Sequence, residues 1–308
     1  MSRPRRRGQP GRQGRERTDG DRSAVLADAQ ALAARGEIDR AFAILGALLG
    51  QHPQLAPAWH LEGVLLLATG RPAEAVAALG RATKLAPRDA AAWTNLGIAQ
   101  HQAGGPKEAE ASLRHAIRLQ PGSAQAHLNL GVVLREKGDS KDALVAFRQA
   151  VAIDTGYAKG WLELGRMLAR RDQADEALRC LARAGPQPDA LEQAGLIEQS
   201  RGRFAAAIRH LRACLEREPG RASATLALGW CLQETGAVDE ALELYHALLK
   251  RDPGLFAVVE RNLTTASKGR LWLRPAQLRR ALLADRSLRA CWRESVCDRS
   301  QARRRAHP

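Results

Sequence analysis

Aromatic side chains make up only 4% of the 308 residues and β-branched ones are sparse, while the good helix formers Ala, Leu, Arg, Glu and Gln abound, which excludes a sheet protein. The net charge of +15 sits almost wholly in the two ends: residues 23–263 hold 28 basic and 27 acidic side chains, so any attraction to polyanions belongs to the ends. Cys180, Cys214, Cys231, Cys291 and Cys297 form no C-x-x-C pair and have no His at zinc-finger spacing, and no apolar run approaches the roughly 18 residues a membrane-spanning helix needs, which excludes a disulfide framework, a zinc finger and a bilayer span.

Residues 1–22 carry eight Arg against Glu16, Asp19 and Asp21, with almost nothing apolar. Such a segment cannot bury enough surface to order itself, and a disordered basic arm is expected. Its functional reading is nonspecific contact with nucleic acid through counterion release, and its plain reading a solubilising leader. No aromatic residue interleaves the Arg, so base stacking is not indicated. No apolar stretch follows the basic start, which argues against a secretory signal, and thiols without partners point to a reducing, cytoplasmic setting. The Ala-, Arg-, Gly- and Leu-rich, Lys-poor usage has the look of a GC-rich bacterial genome.

From Ala56 the chain reads APAWHLEGVLLLATGRPAEAVAALGRATKLAPRD, and the stretch from Ala90 superimposes on it without a gap. The frame gives units near 22–55, 56–89, 90–123, 124–157, 158–187, 188–221 and 222–255, the fifth about four residues short. A small slot recurs at Ala29, Gly63, Gly97, Gly131, Gly165, Gly195 and Gly229, where two helices are expected to approach closely, Gly97 facing Ala109. A turn slot recurs at Gly36, Gly70, Gly104, Gly138, Asp172, Gly202 and Gly236, where the chain must reverse and positive φ is expected. A second small slot is Ala in every unit: Ala41, Ala75, Ala109, Ala143, Ala177, Ala207 and Ala241. Pro53, Pro87, Pro121, Pro219 and Pro253 close units, with Thr155 in that place once. Trp59, Trp93 and Trp161 in the first helices, and Leu79, Leu113, Phe147, Leu181, Leu211 and Tyr245 in the second, are the large fillers. One helix pair cannot bury these faces alone, but stacked pairs bury them continuously.

The W-x-x-L-G, A-x-x-x-F/L and terminal Pro spacing resembles the tetratricopeptide repeat family over residues 22–255. The resemblance implies an all-α, right-handed α-solenoid of about seven helix-turn-helix units over 23–255. Its inner groove would be lined by first helices and take a peptide. The departures are Ala29, Thr155 and the short fifth unit, whose missing residues are expected to tighten the loop Gly185-Pro186-Gln187-Pro188.

Family geometry places Asn95, His101, Asn129, Arg135, Arg166 and Arg170 on the groove, with His60, Glu163 and Trp230 among their neighbours. Asn95 and Asn129 fall in equivalent slots and offer amides to a peptide backbone, and the Arg side chains can fork onto carboxylates, so an acidic peptide or protein is the expected partner. The plain reading is that such Asn are common in the family without touching a ligand, and that helical Arg is usually a solvated face.

Beyond the repeats, 256–298 reads as capping and amphipathic helices and 299–308 as a basic tail. Residues 264–308 carry twelve Lys or Arg against three carboxylates. Leu278, Leu282, Leu283, Leu288 and Trp292 make a narrow apolar stripe, read first as a cap on the last repeat and second as a membrane-surface or partner helix. There is no phosphate-binding Gly loop before a Lys, no G-x-S-x-G and no H-E-x-x-H, so no enzyme, cofactor or metal is expected. The function expected is a non-enzymatic protein-interaction scaffold; the alternative is an adaptor that meets nucleic acid or a membrane periphery through its basic ends.

Overall fold

A computed structural model describes residues 12–265, with side chains from residue 22 onward. Every regular element among them is helical. The chain divides into two compact units, one up to Thr155 and one from Gly156.

The first unit holds four helix hairpins: α1 (Arg12–Ala34) with α2 (Ile38–Gln51), α3 (Ala56–Ala68) with α4 (Pro72–Leu85), α5 (Ala90–Gln102) with α6 (Pro106–Leu119), and α7 (Ala124–Glu136) with α8 (Ser140–Ile153). Helix α1 starts at Arg12, inside the stretch read as an unordered arm; Arg, Gln and Glu there are good helix formers. Proline opens α4 and α6, where its missing N–H costs nothing. Asp89 caps α5, its Oδ1 accepting the Ala91 and Ala92 N–H at 3.0 and 3.1 Å.

The hairpin turns show why the Gly slot exists. At the end of α3, Gly70 has φ +72°, its N–H reaches the Leu67 carbonyl, and the Arg71 N–H reaches back to Leu66 at 2.8 Å. That pattern ties off the last carbonyls of a helix and needs a left-handed residue. Asp172 fills the same slot in the second unit at φ +59°, and is the one described non-glycine residue with positive φ.

Inside the hairpins, all seven slot alanines are fully buried. The small slot of the first helix has a different partner from the one expected. A Cβ on Gly97 would come within 2.6 Å of the Leu113 side chain, while Ala109 contributes only its carbonyl oxygen, 3.2 Å away. The same geometry sets Gly131 against Phe147 and Gly229 against Tyr245. The glycine therefore makes room for the large filler one turn beyond the alanine.

The second unit holds α9 (Ala158–Ala169) with α10 (Ala174–Ala184), α11 (Pro188–Ser200) with α12 (Phe204–Arg217), and α13 (Ala222–Thr235) with α14 (Val238–Arg251). Helix α10 has 11 residues where the other second helices have 14. The deletion in the fifth unit therefore falls mainly in the helix, which loses most of a turn, while the loop that was expected to take it is shorter by one residue. A 3₁₀ turn (Pro253–Leu255) leads to α15 (Phe256–Thr265), whose Val259 and Leu263 are buried in one cluster with Leu228, Tyr245 and Leu249. Asn262 donates to the Tyr245 hydroxyl at 3.3 Å, and that hydroxyl donates to Gln233 Oε1 at 3.1 Å, so the cap is pinned by hydrogen bonds as well as apolar burial. The expected helix beyond Lys268, the basic tail, Cys291 and Cys297 lie outside the described residues.

Candidate binding face

In the first unit, α5 lies against both α3 and α7, so the outward slots of three first helices adjoin. Asn95 on α5 donates its amide N–H to His60 Nε2 on α3 at 2.7 Å. An amide nitrogen only donates, so Nε2 must accept and the ring proton sits on Nδ1, which faces Asp89 Oδ2 at 3.6 Å. Burial lowers the His60 pKa, outweighing the opposite pull of Asp89, and keeps the imidazole neutral at pH 7. His101 on the same helix donates to Glu136 Oε2 on α7 at 2.6 Å. The two bridges span 35 residues each, one repeat plus one position.

Asn129, equivalent to Asn95 by frame, is held differently. Its amide donates to the Gln125 carbonyl one turn back on α7, at 2.8 Å. The two asparagines thus do not present a matched pair of amides, although one engaged N–H does not exhaust either side chain. Arg135 lies 3.8 Å from Glu136 Oε1, a loose pair. Asn95, His101, Asn129 and Arg135 are all half-buried on one set of first helices.

In the second unit Arg166 and Arg221 are engaged within the chain. Arg166 Nη1 pairs with Glu163 at 3.0 Å and Nη2 with Asp189 at 3.2 Å. Arg221, at the N-cap of α13, meets the other Asp189 oxygen, Glu192 at 2.7 Å and Glu218 at 2.8 Å. Asp189 thereby joins α9, α11 and the start of α13. The Arg221 hydrogen bond holds its carboxyl below the usual range, against some desolvation. Arg170 is exposed at the C-cap of α9 and its side chain makes no ion pair among the described residues. Trp230 packs edge-on to Phe204, ring centroids 5.6 Å apart.

Glu136, Asp189 and Arg221 escaped the sequence reading. The signal that finds Glu136 is the 35-residue step from His101, the step that also joins His60 to Asn95. The Asp189 cluster crosses the shortened repeat, so no constant step points to it.

Among the described residues no three His, Cys, Asp or Glu side chains gather as a metal site, and no helix is long and apolar enough to cross a membrane. Cys180, Cys214 and Cys231 are buried and outside any disulfide; Cys214 donates to the Pro188 carbonyl at 3.4 Å, and burial pushes the Cys231 thiol up to about 12.

A family model described as "Tetratricopeptide repeat" matches residues 32–98, 134–199 and 198–258, and a second model with that description matches 102–158. No curated protein matches the chain. A chain of the APC/C hetero-tetramer Cut9-Hcn1 is similar in structure, with TM-score 0.62 and 19% identity over 76% of this chain and 48% of that one. The chain thus spans about half the length of that protein. PilW, a type IV pilus biogenesis factor, gives TM-score 0.61 at 19% identity over 67% of this chain and 98% of its own. The pilF protein of Pseudomonas aeruginosa gives 0.60 at 19% over 67% and 96%. At such identity the likeness is one of fold.

Proposed function

The chain belongs to the tetratricopeptide repeat family, and from that premise we propose that it holds a partner protein or peptide against the outward face of its first helices and carries out no reaction of its own. The observation that carries this reading is the polar row on α3, α5 and α7. Bridges from Asn95 to His60 and from His101 to the exposed Glu136 fix donors and acceptors at repeat spacing, before any ligand arrives. Side chains already fixed lose little entropy on binding, which favours recognition of an extended backbone. Acidic partner groups would meet Arg135 here, while Arg166 is satisfied by Glu163 and Asp189 and contributes less than its charge suggests.

The test is co-purification from the native cell, under nuclease and moderate salt, with full-length protein, a 23–263 truncation, and Asn95→Ala with Asn129→Ala. Retention by the truncation together with loss from the double variant, a weakening of about tenfold for two hydrogen bonds, supports the reading. Full retention by the double variant at an unchanged helical circular-dichroism signal sinks it. The segregation of charge into the ends favours one second reading, an adaptor that meets nucleic acid through them. In that case every partner is lost with the ends or the nuclease, and log affinity falls steeply with log salt.

A further inference from the structure

Four consecutive repeats carry a ring near the start of the first helix, at Trp59, Trp93, His127 and Trp161. Trp59 lies under the Arg81 guanidinium, 4.4 Å from carbon to ring centroid, and Trp93 stacks on His115 with centroids 4.4 Å apart. Both indoles also donate to the carbonyl of the proline that closes the preceding repeat, Pro53 and Pro87, at 2.9 Å. One period further on, the slot holds His127 and the position opposite holds Gln149. His127 keeps the proline bond, Nε2 to the Pro121 carbonyl at 3.1 Å, but an imidazole is smaller than an indole. A cavity of about 370 Å³ opens there between α6, α7 and α8.

We propose that this cavity receives an aromatic side chain from an acidic segment of a partner protein. The vacancy is one that an indole fills in the two preceding repeats. His127, Leu130 and Leu134 form its floor, on a face of α7 that includes neither Asn129 nor Arg135. Val145, 58% exposed, lines it, and no other large apolar side chain among the described residues is as open to solvent. The volume falls at the small end of ligand sites, enough for one ring and not for a large cofactor. Charge selects the rest of the partner. Arg114 and Arg118 of α6 line the cavity against the single carboxylate of Asp142; Arg114 is paired with Glu110, and Arg118 donates to His115 Nδ1 at 3.0 Å. Guanidinium groups that line a cavity can stack on an arene and pair with carboxylates beside it. This site is separate from the first-helix face and does not depend on it.

The experiment measures binding of a short peptide with one tryptophan flanked by aspartates to the full-length protein by fluorescence anisotropy. Two twins carry alanine for the tryptophan or lysine for the aspartates. The parent peptide is expected to bind about tenfold more tightly than either twin. His127→Trp rebuilds the slot of the two preceding repeats, so it should fold, plug the cavity and weaken binding about tenfold without lowering the melting temperature. Val145→Glu, at an exposed position, should weaken it as well by repulsion. The proposal is overturned if the parent peptide does not bind, if either twin binds equally well, or if both variants bind like the wild type.

Discussion

Between residues 56 and 155 the first helices are tied across repeats by histidine, Asn95 to His60 and His101 to Glu136. Between 156 and 265 they are tied by guanidinium and carboxylate, with Arg166 and Arg221 both on Asp189. Beneath these faces the hairpins are alike: alanine buried in the second helix, glycine opposite a large filler, a left-handed turn between. The repeat therefore dictates the interior and leaves the outward slots open to different chemistry. The His60 tie answers to mild acid, and the Asp189 cluster to salt and stronger acid.

The sharpest way to break that comparison is to attack what the two regions share. Phe147→Ala and Leu211→Ala each remove a fully buried filler opposite a glycine. Each should cost about 3–5 kcal/mol in urea unfolding, and a cost under about 1 kcal/mol at either would show that the interior is not common to both. Next in size, Ala109→Leu forces three extra carbons into a site with no exposure and should cost roughly 1–3 kcal/mol. A neutral result there would discredit the hairpin packing.

Smaller effects separate the two faces. Asp189→Asn removes the carboxylate shared by Arg166 and Arg221, whose other partners remain. Because Asp189 is partly exposed, the loss should be only about 1 kcal/mol at low salt and should shrink in concentrated salt. Its folded pKa lies below the unfolded value of about 3.9, so its contribution is present above that pH and disappears as acid takes the folded carboxyl through its own pKa. A loss that does not depend on salt would mean the cluster acts by packing.

The smallest effect belongs to His60. Burial sets its folded pKa below the unfolded value of about 6.5, so the unfolded chain takes up the proton first and stability declines as pH drops below that value. His60→Gln should flatten part of this decline in denaturant midpoints taken at neutral and mildly acid pH. His210 is lowered in the same direction, chiefly by its own burial, and persists in the variant, so the difference between the two proteins is the quantity to read. Identical declines would show that His60 does not titrate in this range.

Much of the fold was legible because a strict period makes each residue's role repeat. Small, turn and filler slots at 34-residue spacing announce helix hairpins, and Asp172 in a glycine slot announces the left-handed turn it adopts at φ +59°. The binding face was less legible. Asn95 and Asn129 occupy one slot in the sequence, yet one amide crosses to His60 and the other turns back to its own helix. That choice depends on which acceptor the neighbouring repeat supplies, and the period does not repeat it.

By itself the sequence determined the helical class, the hairpin spacing, the alanine and glycine interior and the segregation of charge, since these follow from local propensity and periodic sterics. Only the tertiary structure decided that Gly97 clears Leu113 and not Ala109, that the deletion shortens α10, that Asp189 gathers Arg166 with Arg221, and that His127 leaves a cavity. Each of those depends on where side chains from different helices meet, a distance that no single segment of the chain encodes.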